Sequence, residues 1–158
     1  MVTIGSVGWT LGSAALSRPW LKLRRDQIIT AGAIFAAVGM SMVSFYAFTS
    51  GEVFLILAIG WIFAGIGMGL SQASTSLAVM ELSEVHRQGR NTSSLQVAEG
   101  LGSALLVGLA GTSTAMWDVK AQPEIAFGAT FTMLTLICIA MVFISTRIGH
   151  IANAVAGR

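Results

Sequence analysis

Glu99 is the single charged group between Arg90 and Asp118, inside an apolar stretch long enough to cross a bilayer. An ionisable side chain at that depth costs roughly 2.5 to 3.5 kcal/mol on insertion scales and is a functional-site hypothesis by default. Thr92, Gln96, Glu99 and Ser103 recur at spacings of four, three and four residues, so on a helix they make one polar stripe. At 1.5 Å per residue Glu99 lies about 12 Å beyond Asn91, between the interface and the midplane. A carboxylate that exchanges between dry and wet surroundings can take up and release a proton. The functional expectation is that Glu99, with Gln96 and Ser103, lines a substrate or proton pathway. The structural alternative is a carboxylate bonded to a neighbouring helix, or one close enough to the surface to stay wet. Gln72, in the polar run Ser71-Gln72-Ala73-Ser74-Thr75-Ser76, is a second pathway candidate, against the simpler reading that these side chains satisfy one another. His86 falls in a loop and is expected to be solvated.

The elements that position these residues follow from composition. Of 158 residues 54% are hydrophobic and only 10% charged, against roughly 25% charged in ordinary soluble domains. The 18 glycines and 2 prolines suit closely packed transmembrane helices. The fold expected is all-α, a polytopic transmembrane helix bundle. Cys138 is the single cysteine, which excludes a disulfide framework and leaves no metal cluster to argue from. The net charge of +2 resides in loops between apolar runs, a topology signal and not a nucleic-acid surface. Paired histidines, paired intramembrane acids and a nucleophile beside a base are all missing from the sequence, so no enzyme and no cofactor are expected.

Five apolar spans are expected, at about residues 1–17, 28–49, 53–80, 93–116 and 125–146. The first is too short for a roughly 30 Å hydrocarbon core and reads as an incomplete span. Asn91 or Ser93 is placed to cap the fourth, with Gln96 at the capping-box spacing from Ser93. Gly65-Ile66-Gly67-Met68-Gly69 lies in the middle of a span, where a nucleotide-binding loop cannot form; Gly65 and Gly69 read instead as a helix-packing seam. Gly100, Ala104 and Gly108 repeat every four residues and suggest another. Gly5, Gly8 and Gly12 offer a close-packing face in the first span. Of nine Lys and Arg, Lys120 alone falls on the side of the chain opposite the others, and the positive-inside rule places those others, with the C-terminus, in the cytoplasm.

Gly8-Trp9-Thr10-Leu11-Gly12 followed by Arg18, Arg24 and Arg25, together with Gly89 and Ser93 leading into a glycine-rich penultimate span, resembles the C-terminal part of a major facilitator superfamily transporter, nearest to multidrug efflux permeases. The five spans resemble the last five helices of a twelve-helix permease. Gly12, Arg18, Arg24 and Arg25 are similar to a degenerate copy of the family's cytoplasmic loop motif, with Ser17 where the better-formed copy has an acid. Many drug-efflux relatives place a base around the position of Glu99, so no substrate role transfers to it. The resemblance implies a partial major facilitator fold and export of small organic molecules, driven by protons, across the plasma (cell inner) membrane. The partners it implies are the bilayer, a small-molecule substrate and the missing N-terminal helices of the same permease, with no nucleic acid. The chain by itself is then expected to be incomplete. The competing expectation is a small membrane scaffold or partner subunit that docks other helices through the glycine seams.

Overall fold

A computed structural model of the chain describes residues 2–16, 23–49 and 54–149. These form five helices, α1 (Val2–Leu16), α2 (Arg25–Phe48), α3 (Phe54–Leu82), α4 (Gln88–Ala115) and α5 (Pro123–Ser145), with a 3-10 turn at Val85–Arg87 before α4. Four of them, α2 to α5, are long and apolar enough to cross a membrane. Such long uncharged runs become helices because a helix satisfies its backbone polar groups internally. The turn expected around Ser50 to Glu52 lies outside the described residues.

Helix starts differ from expectation where polar residues open the helix. The α2 helix begins at Arg25, three residues before residue 28. The Arg24 N–H donates to Gln27 Oε1 at 3.1 Å, and Asp26 in the first turn complements the helix dipole. The fifth helix starts on Pro123, whose missing N–H costs nothing at the first helical position. The largest difference is in α4, which begins at Gln88, five residues before residue 93. Ser93 is therefore inside the helix and caps nothing: its hydroxyl donates back to the Gly89 carbonyl at 2.9 Å.

The packing is organised by α3. One face of α3 meets α2, antiparallel to it: a Cβ built on Gly67 would stand 2.5 Å from the Gly32 carbonyl oxygen, and one on Gly39 would stand 2.6 Å from that of Gly60. The opposite face meets α1, parallel to it, where a Cβ on Gly69 would come 2.9 Å from the Ser13 nitrogen and one on Gly12 2.5 Å from the Ile66 carbonyl oxygen. Glycine lets three backbones approach where any side chain would hold them apart. The far side of α2 packs on α5, also antiparallel, with the Ser44 and Thr132 hydroxyls 2.7 Å apart and Gly128 against the Phe48 ring. The row is thus α1, α3, α2, α5, with Ile28, Val43 and Ala126 buried in it. The α4 helix buries none of its residues.

Candidate functional site

Among the described residues, the side-chain bonds of the fourth helix to this row lie at its two ends. At its start Asn91 Nδ2 donates to the Ser83 hydroxyl at 2.8 Å and Gln88 Nε2 to the Met80 carbonyl at 3.1 Å, tying it to the end of α3. Near its far end Ser113 and Thr114 meet Thr130 of α5, each hydroxyl 3.1 Å from Thr130 Oγ1. Thr130 is buried and bonded to its own helix through the Ala126 carbonyl, which makes it a fixed anchor. Between the attachments, residues 96–109 are exposed apart from Glu99 and Gly102, which are half-buried.

That pattern fixes how α4 is turned. Thr92, Leu95, Glu99, Gly102, Ala110 and Ser113 are half-buried and share one side of a 3.6-residue helix. Glu99 is central on that side. Of the polar stripe read from the sequence, Thr92 and Glu99 share the sheltered side, whereas Gln96 and Ser103 fall on its flank and are exposed. Gly100, Ala104 and Gly108 occupy the opposite side. A Cβ at Gly100 or Gly108 would meet nothing within 4 Å, and Ala104 is exposed. Among the described residues this seam packs against no helix, in contrast to Gly65 and Gly69, which lie against the α1 backbone at Gly5, Gly8, Trp9 and Ser13.

The opposing wall is the polar third of α3. Val79, Leu82 and Ser83 line a groove with Asn91, Ser94 and Leu95 of α4. Thr75 continues the Val79 line four residues earlier, whereas Gln72, three residues after Gly69 and seven after Gly65, falls on the side of α3 that meets α1. Among the described residues Gln72 Oε1 is buried with no hydrogen-bond partner. An orphan acceptor of this kind carries a desolvation cost that a donor from a ligand, water or neighbouring helix relieves. Ser71 takes no part in this wall: it faces α2, its hydroxyl 3.4 Å from the Ile29 carbonyl. Ser74 is fully buried with an unpartnered hydroxyl. The groove at the start of α4 thus ends at Leu95, one turn short of Glu99. Among the described residues no three His, Cys, Asp or Glu side chains gather as a metal site would require.

The loop residues Arg24 and Arg25 serve different ends. Arg24 forms a two-bonded ion pair with Asp26, at 3.0 and 2.8 Å. Arg25 turns inward and forms one with Glu81, both bonds 2.6 Å. Gly12 packs on α3, and Arg18 lies outside the described residues. The pairing of Arg25 with Glu81 is the element the sequence did not disclose. The signal available was the coincidence of a cation at the start of one apolar span with an anion at the end of the next, which antiparallel packing brings to the same level.

Comparison with known proteins adds no relationship: no protein-family model, no curated protein and no solved structure matches the chain.

Proposed function

We propose that this chain forms the C-terminal helices of a larger major facilitator-type permease that exports small organic molecules by proton coupling, embedded in the plasma (cell inner) membrane with its C-terminus in the cytoplasm. The observation that carries the reading is Glu99: the one carboxylate of a span-length helix, half-buried where residues 96–98 and 100–101 around it are exposed. A carboxylate sheltered on a span-length helix is placed to bind a proton or a donor-bearing substrate. In this reading the uncovered length of α4 is completed by further helices of the same permease. The grouping of basic residues at the end of the bundle where α2 and α4 begin supports the orientation.

The second reading, a membrane scaffold or partner subunit, is favoured by one observation: Gly100, Ala104 and Gly108 present a smooth face with open space beyond it. A tag placed on the C-terminus at the native locus separates the two. A tagged product much heavier than 16.5 kDa supports the permease, and a product of the chain's own mass supports the scaffold. Transport itself is tested in everted membrane vesicles by energy-dependent uptake of a lipophilic dye. Uptake that collapses with the pH gradient agrees with proton coupling, and uptake indifferent to the gradient contradicts it.

A further inference from the structure

A groove of about 420 Å³ runs between the start of α2 and the end of α5, lined by Arg24, Gln27, Thr30, Ile34, Ser145 and Thr146 among others. It has a polar mouth and an apolar side formed by Ala31 and the exposed Ile34. Arg24 and Asp26 both line the mouth, where the Arg24 side chain is 39% exposed and that of its partner Asp26 16%, so the cation is the more open of the pair. Asp26 engages two of the five guanidinium N–H donors, and in doing so fixes Arg24 at the opening with donors to spare.

The hydroxyls of the groove have the opposite character. Thr30 Oγ1 donates to the Asp26 carbonyl at 2.9 Å, Ser145 Oγ to that of Val142 at 2.7 Å and Thr146 Oγ1 to that of Phe143 at 2.7 Å. Each hydroxyl proton is committed, and each oxygen remains an acceptor. Ala31 and Ile34 continue the wall toward the apolar middle of α2. The occupant that matches all three has an anionic phosphate for the half-exposed Arg24 guanidinium, hydroxyl donors for the acceptors, and a hydrocarbon chain to lie along Ala31 and Ile34.

We propose that the α2–α5 groove is a binding site for an anionic phospholipid with a hydroxylated headgroup, such as phosphatidylglycerol, whose phosphate Arg24 holds at the membrane surface. A free phosphate or a soluble sugar phosphate satisfies the mouth and leaves the Ala31 and Ile34 wall unfilled, so a lipid is the source that fits. Basic pockets between transmembrane helices are a recurrent form of lipid headgroup site.

This rests on the chain being a membrane protein and is independent of transport. The test reconstitutes the full chain into nanodiscs of phosphatidylcholine containing equal minor fractions of phosphatidylglycerol and phosphatidylethanolamine, then extracts it gently and counts retained lipids by native mass spectrometry. Phosphatidylglycerol is expected to be retained about fivefold over either other lipid, the scale of one surface cation. Arg24→Gln removes that preference, and so does Ala31→Phe, which fills the apolar part without touching a charge; Arg87→Gln, at an exposed cation beside α4, leaves it intact. Equal retention of the three lipids overturns the proposal, as does a preference that survives both groove variants, or displacement of the lipid by millimolar inorganic phosphate. Failure of the chain to enter nanodiscs at all overturns the membrane reading instead, and is recognised before any lipid is counted.

Discussion

Arg25 and Glu81, 56 positions apart in sequence, are joined by two hydrogen bonds of 2.6 Å that lock the first turn of α2 to the last turn of α3. The Arg25 side chain is 5% exposed and that of Glu81 28%, so the cation is the dry partner. Removing the anion leaves a buried charge without compensation. Glu81→Ala is expected to lower stability by about 3 kcal/mol, read as a drop in the unfolding midpoint of the detergent-solubilised protein, and Arg25→Ala by less, because Glu81 can turn to water. Equal and small effects, within about 0.5 kcal/mol as for ordinary surface changes, would show that the pair contributes nothing.

The two glycine seams give opposite expectations from the same substitution. Gly67→Val drives a side chain into the α2 backbone at Gly32 and Ala36 and is expected to cost 1 to 3 kcal/mol or more, on the order of overpacking penalties. Gly108→Val enters open space and is expected to leave the chain's own thermal stability unchanged. A large loss at Gly108 in the isolated chain would mean that α4 packs on this bundle more closely than its exposure indicates.

Chain entry and exit are tested at Gln122, exposed between α4 and α5. In a Cys138→Ala background, a cysteine at Gln122 is expected to react with an impermeant thiol reagent added to intact cells, because this turn is at the end opposite the basic loops. Labelling that requires permeabilised cells would invert the topology.

The attachment of α4 to α5 through hydroxyls is weaker than the ion pair and is expected to behave so. Thr130→Val removes contacts to Ser113 and Thr114 and is expected to cost about 1 kcal/mol. Its effect should concentrate in faster amide exchange over the last turns of α4, with α2 and α3 unchanged. Exchange that rises equally in all helices would show that Thr130 supports the whole bundle.

What the sequence makes legible is set by range. Charge depletion over twenty residues identifies α2, α3 and α5, because lipid leaves a helix as the only open-ended way to satisfy the backbone. The start of α4 is less visible: Gln88, Gly89, Arg90 and Asn91 read as loop by composition, yet Asn91 and Gln88 bond to α3 from within the helix. Small residues at four-residue spacing look alike at Gly65/Gly69 and at Gly100/Ala104/Gly108. Only tertiary structure separates a seam against α1 from one facing open space. The half-burial of Glu99 and the exposure of Gln96 and Ser103 depend on a rotation of α4 that a stripe drawn over two and a half turns does not fix. Arg25 with Glu81 is a contact between distant segments, and no local pattern encodes it.

The account turns on Glu99, and the most direct measurement is gradient-driven dye uptake by everted vesicles carrying Glu99→Gln beside Glu99→Asp, with membrane levels matched by immunoblot. The amide keeps the size and loses the exchangeable proton; the shorter acid keeps the proton. Uptake abolished in Glu99→Gln and retained at a reduced level in Glu99→Asp is the predicted result, and uptake in Glu99→Gln equal to that of the unaltered protein would contradict it.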